Sequence, residues 1–244
     1  MKQIHIILAA LLAITFTNCH AQTSEPVQPE QPSQPDQIKT FSILGDSYST
    51  FEGYIPEGNA CWYFTNPQGE NDVHSVESTW WYLFAKDNGY ELLLNESYSG
   101  STICNTGYDG ADYSDRAFIK RMFNLTAGNP DLIVVFGATN DSWANAPIGE
   151  LKFNDRTSED MYSCLPACCY LLEYLTSGVV DSKVVFVINS ELKKEITEGI
   201  IQACEHYGVP SLLLKDIDKQ WGHPSTKGMA QINEQLSAFV STLK

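Results

Sequence analysis

Short apolar runs alternate with longer amphipathic segments along most of the chain. Five runs end in turn residues and predict buried strands at residues 40–44, 90–94, 132–136, 183–188 and 211–214. The segments between them place apolar residues at helical spacing and predict helices at residues 76–88, 114–125, 158–176, 191–207 and 226–243. Because strands and helices alternate, we expect one α/β domain over residues 39–244, with a mainly parallel sheet between two helical layers.

The N-terminal residues do not follow this pattern. Residues 1–21 begin with Lys2, continue in an apolar run and end in small or polar residues, which is typical of a signal peptide. Cleavage after Ala21 would release a soluble product, whereas lipidation of Cys19 would make a bacterial lipoprotein. Phe16 and Asn18 form a poor lipobox and favour the soluble product.

Residues 22–38 are rich in Pro, Gln and Ser and predict a solvated linker without a fold of its own. The apolar run in the signal peptide is too short to span a membrane comfortably, so no transmembrane segment is expected once it is removed. We therefore expect an exported protein that lies in the periplasm or at the cell surface, with a lipid anchor at Cys19 as the alternative to release.

Composition and charge restrict the partners. Of the 244 residues 43% are hydrophobic and 18% are charged, as in a folded protein. The formal net charge of −15 repels polyanions, which argues against nucleic acid or anionic lipid as a partner and favours a neutral small-molecule or glycan substrate.

The cysteines predict no metal site. None of the seven lies in a CxxC pair or a Cys/His cluster with zinc spacing. In an oxidising compartment Cys61 and Cys104, both in loop-like sequence, could form a disulfide, but the sequence leaves the pairing open. The cysteines of the helical segments are expected to be buried thiols.

Residues suited to acyl transfer follow four of the predicted strands. The first strand leads into Ser47, the second into Gly100, the third into Asn140, and the fifth into a loop with His223. Because the carboxyl ends of parallel strands share one edge of the sheet, these residues are expected to meet there. A serine could attack a carbonyl after histidine removes its proton, and backbone and amide N–H groups could bind the oxyanion. The alternative for each residue is an ordinary turn or helix cap.

Four blocks carry a resemblance to a known family. In chain order these are Gly-Asp-Ser at 45–47, the glycine after the second strand, Gly-x-x-Asn-Asp at 137–141 and His-Pro-Ser at 223–225. Each block is weak, but their order and their placement at successive strand ends are specific. Over residues 40–244 the chain resembles the SGNH (GDSL-type) hydrolases. Its long aromatic loop is also similar to that of a little-characterised exported bacterial subfamily.

The resemblance implies a fold, a chemistry and site roles. The fold is a flavodoxin-like three-layer α/β/α sandwich with a parallel sheet of about five strands. The chemistry is that of an esterase or deacetylase that needs no metal and no other cofactor. Ser47 is implied as nucleophile, His223 as base, and Ser47, Gly100 and Asn140 as the oxyanion hole.

The chain departs from the family pattern at one catalytic position. The family usually carries an aspartate three residues before the histidine, where it orients the imidazole. Gln220 occupies that position here. Asp218 is the carboxylate we nominate in its place, and Asp216 and a backbone carbonyl are further candidates for the contact with His223.

The loops around the predicted serine are rich in aromatic residues. The connection at residues 48–75 is unusually long for a compact domain, which indicates a functional or disordered loop. Trp62, Tyr63, Tyr108 and Trp143 are the nominated substrate contacts, since exposed rings could stack on sugars; packing within the loops is the equally weighted alternative.

Together these features predict an exported serine esterase or deacetylase. Its expected substrate is a small acyl ester, with acetyl as the favoured acyl group, on a neutral carbohydrate or another small molecule. The alternative is a carbohydrate-binding protein of the same fold with weakened catalysis, for which Gln220 is the main support. A lipase is less favoured, because nothing in the sequence resembles an apolar lid.

Overall fold

A parallel five-stranded sheet forms the centre of the domain. The computed structural model describes residues 39–66, 71–178 and 181–243; the predicted signal peptide and linker lie outside these residues. Within them the central strands run in the order β2-β1-β3-β4-β5, and every neighbouring pair is parallel. Their bounds are β1 Lys39–Gly45, β2 Tyr90–Ser97, β3 Leu132–Gly137, β4 Lys183–Ile188 and β5 Ser211–Leu213.

Helices cover both faces of the sheet. Those among the described residues are α1 Trp80–Asn88, α2 Phe118–Arg121, α3 Thr139–Trp143, α4 Cys164–Thr176, α5 Lys194–Tyr207 and α6 Thr226–Thr242. Side chains of β3 alternate between the two layers. Val134 packs with residues of α1 and α6, and Val135 packs with residues of α4 and α5. The three-layer α/β/α fold expected from the sequence is confirmed.

The helices differ from their predicted bounds mainly at the N-terminal ends. The predicted helix at 158–176 begins only at Cys164, because Ser163 is extended (φ −122°, ψ 141°) and interrupts the path. The predicted helix at 114–125 is reduced to α2 followed by a 3-10 segment, Met122–Thr126. At the other ends, Gly89 and Gly208 take the left-handed conformation that stops α1 and α5, as the sequence indicates.

Buried Arg121 of α2 joins two strand ends at the carboxyl edge of the sheet. Its guanidinium donates to the carbonyl oxygen of Gly45 over 3.1 Å, to the Ser101 hydroxyl over 2.8 Å, and to the Glu96 carbonyl. The fixed fork of donors therefore ties the end of β1 to the end of β2 and to the loop that follows it.

A small hairpin lies between β5 and α6. It consists of β6 Lys219–Gln220 and β7 His223–Pro224, which pair antiparallel with Gln220 opposite His223. Trp221 and Gly222 form its two-residue turn, and both have positive φ, 54° and 77°. This is the pattern of a type I′ hairpin.

Other structural expectations are settled by the described residues. Cys61 and Cys104 are both free thiols, so the disulfide considered between them is not formed; Cys61 instead contacts the carbonyl of Tyr63. No helix in the described ranges has the length and apolarity required to cross a membrane.

Candidate active site

The turn after β1 presents Ser47. Gly45 has no room for a side chain, because a Cβ there would lie 2.5 Å from the Ser97 hydroxyl oxygen. The Asp46 carboxylate caps the next turn by accepting from the Tyr48 N–H over 3.0 Å. The Thr50 hydroxyl closes the turn by donating to the Ser47 carbonyl over 3.0 Å. The strand therefore stops at a glycine because the neighbouring strand end and the serine turn pack directly against it.

Ser47 and His223 are in direct contact. The Nε2 atom of His223 lies 2.9 Å from the Ser47 hydroxyl oxygen, although the two residues are far apart in sequence. Both side chains are almost completely buried. This geometry suits proton transfer from the hydroxyl to the imidazole.

A backbone carbonyl, not a carboxylate, faces the other nitrogen of His223. Nδ1 lies 3.2 Å from the carbonyl oxygen of Trp221. The type I′ turn aims that carbonyl back at the ring two residues later. Gln220 is turned away, since its side-chain oxygen accepts from the Asp72 N–H over 2.9 Å.

Tyrosine hydroxyls hold the hairpin against the nucleophile turn. Tyr48 donates to the Gly222 carbonyl over 2.5 Å and accepts from the Asn189 amide over 3.2 Å. Tyr63 donates to the Pro224 carbonyl over 2.9 Å. Tyr48 immediately follows Ser47, so a single short segment fixes both members of the Ser-His pair. The sequence pattern predicts no role for Tyr48, because a tyrosine in a turn carries no distinctive signal.

The expectation for Asp218 requires a correction. Its carboxylate accepts a short hydrogen bond from the Ser225 hydroxyl, and that hydroxyl caps α6 by accepting from the Gly228 N–H over 3.1 Å. The other carboxylate oxygen lies 4.0 Å from Lys227 Nζ. Asp218 is thus used at the start of α6, and neither it nor Asp216 is a hydrogen-bond partner of His223.

Replacing Asp218 with asparagine is expected to leave catalysis nearly intact. We expect kcat to stay within about threefold, whereas loss of a triad aspartate lowers kcat about 10⁴-fold. The weakened support for the α6 cap should cost about 1 kcal/mol of unfolding free energy. Steady-state kinetics measure the change in kcat, and urea unfolding of the same preparation measures the change in stability. Lys227→Ala is the control for the loss of the charge pair with Asp218. A thousandfold fall in kcat with an intact fold would restore Asp218 as the acid.

The predicted oxyanion donors lie in loops at the same edge of the sheet. Gly100 has φ 82°, a conformation that favours glycine. The Asn140 amide nitrogen donates to the Ser101 carbonyl over 3.0 Å, and its amide oxygen accepts from the Tyr108 hydroxyl over 2.8 Å. The tyrosine contact sets which end of the amide carries the donors and leaves one N–H available for an oxyanion. Tyr108 is one of the nominated substrate contacts; in the structure its hydroxyl donates a hydrogen bond to Asn140.

Aromatic rings enclose the imidazole of His223. The Trp62 ring stacks on it, with centroids 3.6 Å apart and an angle of 10° between the planes. Trp143, Tyr48 and Tyr63 approach it at 5.7, 5.4 and 6.4 Å in tilted or edge arrangements.

Exposure separates the nominated aromatic contacts into two groups. Trp62 and Trp143 are 38% and 39% exposed and can still meet a ligand. Tyr63 is 1% exposed, so its nomination as a substrate contact is corrected: it is a packing residue. Trp221, for which the sequence pattern predicts no role, is 71% exposed and lies next to His223.

Burial determines the charge state of His223. The pKa of His223 is lowered to about 4: desolvation by burial is the largest cause, the hydrogen bond to the Trp221 carbonyl opposes it, and the positive charge of Lys219 contributes to the lowering. Above that pH the imidazole is neutral, which is the form that accepts a proton from Ser47. Among the described residues no cluster of His, Cys, Asp and Glu could hold a metal ion.

Comparisons with known proteins show which family the chain resembles. The family model of GDSL-like lipases/acylhydrolases matches residues 39–240. A structure from Bacteroides ovatus ATCC 8483, described as a GDSL-like lipase, is 50% identical with a TM-score of 0.82 and covers 84% of this chain and 99% of its own. One from Bacteroides uniformis ATCC 8492, with the same description, is 51% identical with a TM-score of 0.82 over 85% of this chain and 98% of its own.

A more distant structure shares the fold. It is 18% identical to this chain, with a TM-score of 0.60 over 87% of this chain and 67% of its own. It is a carbohydrate esterase, and its active site is described as having divergent catalytic and non-catalytic binding functions. No curated protein matches the sequence. The serine turn, the contact between Ser47 and His223, and the match over nearly the whole described domain lead to one conclusion: the chain belongs to the GDSL-like lipase/acylhydrolase family and is a carboxylic ester hydrolase.

Proposed function

We propose that the protein is an exported serine esterase that removes a small acyl group, acetyl in the first instance, from a neutral carbohydrate or another small ester. The observation that carries the mechanism is the 2.9 Å contact between Ser47 and the base His223. The nitrogen on the far side of the ring is held by a peptide carbonyl, so the pair works as a dyad.

In the proposed reaction the Ser47 oxygen attacks the ester carbonyl while its proton passes to His223 Nε2. The N–H groups of Ser47 and Gly100 and the Asn140 amide bind the oxyanion of the tetrahedral intermediate. As the intermediate collapses, Nε2 returns the proton to the departing alcohol, leaving an acyl-serine. Water then attacks the acyl-serine while its proton passes to His223 Nε2. Collapse of this second intermediate returns the proton to Ser47 and releases the carboxylic acid.

Three features support a neutral carbohydrate as the alcohol. The exposed parts of Trp62 and Trp143 lie beside the base and offer flat apolar surface of the kind that sugar rings stack on. The net charge of −15 disfavours anionic substrates. The distant fold relative described above is a carbohydrate esterase.

The proposed location rests on the N-terminal sequence. A signal peptide at 1–21 followed by the linker at 22–38 supports export to the periplasm or cell surface, with release after Ala21 or a lipid anchor on Cys19. Fractionation of cells that produce the full chain, with Cys19→Ala as comparison, distinguishes these two outcomes.

A substrate series tests the proposed specificity. We expect kcat/KM to fall about tenfold or more from p-nitrophenyl acetate to the octanoate ester, and acetate to be released from acetylated xylo-oligosaccharides. Ser47→Ala provides the blank for each substrate. A preference for the octanoate ester would contradict the proposed acyl group. Rapid turnover of p-nitrophenyl acetate without release of acetate from the oligosaccharides would contradict the proposed carbohydrate. Either result would leave the serine mechanism in place.

A further inference from the structure

His223 lacks the partner that most serine hydrolases give their catalytic histidine. When the imidazole takes the Ser47 proton it becomes a cation, and a triad carboxylate stabilises that cation. Among the residues that the structure describes, the hydrogen-bond partner of its Nδ1 is the peptide carbonyl of Trp221, at 3.2 Å. A neutral carbonyl orients the ring but supplies much less charge stabilisation than a carboxylate.

The groups around the imidazole make this deficit larger. The titratable or charged residues that face it from the surrounding elements are Ser47, Tyr48, Tyr63 and Lys219. Burial raises the pKa of both Tyr48 and Tyr63 well above the usual value for tyrosine, so both are neutral. Lys219 is positive and disfavours a second positive charge, although Glu191 pairs with its ammonium at 2.8 Å.

The Trp62 ring is the aromatic group that lies nearest to the imidazole. Its ring lies parallel to the imidazole with 3.6 Å between centroids, well inside the distance of about 6 Å at which an aromatic face attracts a cation. Among aromatic side chains indole gives the strongest attraction of this kind. The other rings near His223 lie farther away and are tilted or edge-on.

The position of Trp62 is fixed by the catalytic turn itself. The Trp62 N–H donates to the hydroxyl oxygen of buried Thr50 over 2.9 Å, and that hydroxyl donates to the Ser47 carbonyl over 3.0 Å. The next residue, Tyr63, is hydrogen-bonded to Pro224 beside the base. The stacked ring is therefore tied to the nucleophile on one side and to the histidine strand on the other.

We propose that Trp62 is a positioning residue that stabilises the His223 imidazolium through a cation–π stack and so replaces part of the effect of the absent aspartate. The proposal deepens the Ser47–His223 mechanism and rests on it. Because the imidazole covers one face of the Trp62 indole, only the opposite face and the edge of that ring remain for a substrate.

A fluorination series at Trp62 tests the proposal directly. Tryptophans carrying one, two and four ring fluorines, introduced at position 62 by codon suppression, weaken the negative face of the ring with little change in shape. We expect kcat for p-nitrophenyl acetate to fall stepwise, by about tenfold at four fluorines, with KM nearly constant. The His223 pKa, followed by NMR titration, should fall by about one unit over the same series.

Conventional variants and a matched control accompany this series. Trp62→Phe keeps an aromatic face and Trp62→Leu keeps only apolar bulk, so we expect the kcat of the phenylalanine variant to exceed that of the leucine variant by about fivefold. Fluorinated phenylalanines at Phe84, a core position that packs on Phe41 and Tyr90, serve as the control and should change neither quantity.

The outcomes separate the two proposals. If kcat and the His223 pKa do not change along the Trp62 series, the stack is structural and the inference is overturned. If the parent protein shows no Ser47-dependent turnover, the proposed function fails, and the NMR titration alone decides whether the indole stabilises the imidazolium.

Discussion

Replacing Ser47 with alanine is expected to lower kcat for p-nitrophenyl acetate by about 10⁴-fold or more. In the proposed mechanism His223 deprotonates this hydroxyl across 2.9 Å, and no other hydroxyl is within hydrogen-bonding distance of Nε2 in the described part of the chain. His223→Ala should lose a similar factor, because an unactivated serine hydroxyl is a poor nucleophile. The Ser47→Ala/His223→Ala double variant should be no slower than either single variant, since the two residues act as one unit.

Steady-state kinetics with circular dichroism of each variant check this prediction. Ser49→Ala is the matched control, because Ser49 lies in the same turn but its hydroxyl accepts from the Trp80 indole and has no contact with His223. Turnover in Ser47→Ala within tenfold of the parent would show that Ser47 is not the nucleophile. Losses in the single variants that multiply in the double variant would show that the two residues act separately.

Removing the side-chain amide of Asn140 has the second largest expected effect. We expect Asn140→Ala to lower kcat about 10²- to 10³-fold with little change in KM, as loss of one oxyanion donor does elsewhere. The structure holds this amide on both sides, through the Ser101 carbonyl and the Tyr108 hydroxyl, so its free N–H has a fixed direction. Such a preoriented donor stabilises the intermediate more than the ground state.

Tyr108→Phe separates orientation from donation. It removes only the hydroxyl that binds the Asn140 amide oxygen, and we expect a smaller loss in kcat, about three- to tenfold. Kinetics of the two variants and of their combination measure the coupling, and urea unfolding reports any loss of the buried contacts. If Asn140→Ala raises KM at constant kcat, Asn140 binds the substrate and is not an oxyanion donor.

The fold was predictable from the sequence because its core is periodic. Continuous apolar runs such as 132–136 are typical of strands buried on both faces, and the intervening helical segments required a parallel sheet. Helix starts were less predictable: Ser163 leaves helical geometry next to a segment with good helical periodicity. Propensity does not reveal such local interruptions, which depend on tertiary contacts.

The site was predictable only where function depends on position at a strand end. Ser47 and His223 met as expected because both follow strands of one sheet. The error at Asp218 arose because a carboxylate near a histidine in sequence says nothing about the turn between them. Two positive φ angles at Trp221 and Gly222 bring a carbonyl to the ring and leave Asp218 to the α6 cap. The tryptophan stack depends on a long loop whose path no periodicity encodes.

Labelling with a fluorophosphonate is the measurement that tests the central claim most directly. An activated serine oxygen displaces fluoride and retains the phosphonyl group, so the adduct marks the nucleophile. We predict one adduct per chain, mapped by mass spectrometry to Ser47, that forms readily in the parent and in Asp218→Asn and is absent in His223→Ala. An adduct on another residue, none in the parent, or loss of labelling in a folded Asp218→Asn variant would contradict a Ser47–His223 dyad supported by the Trp221 carbonyl.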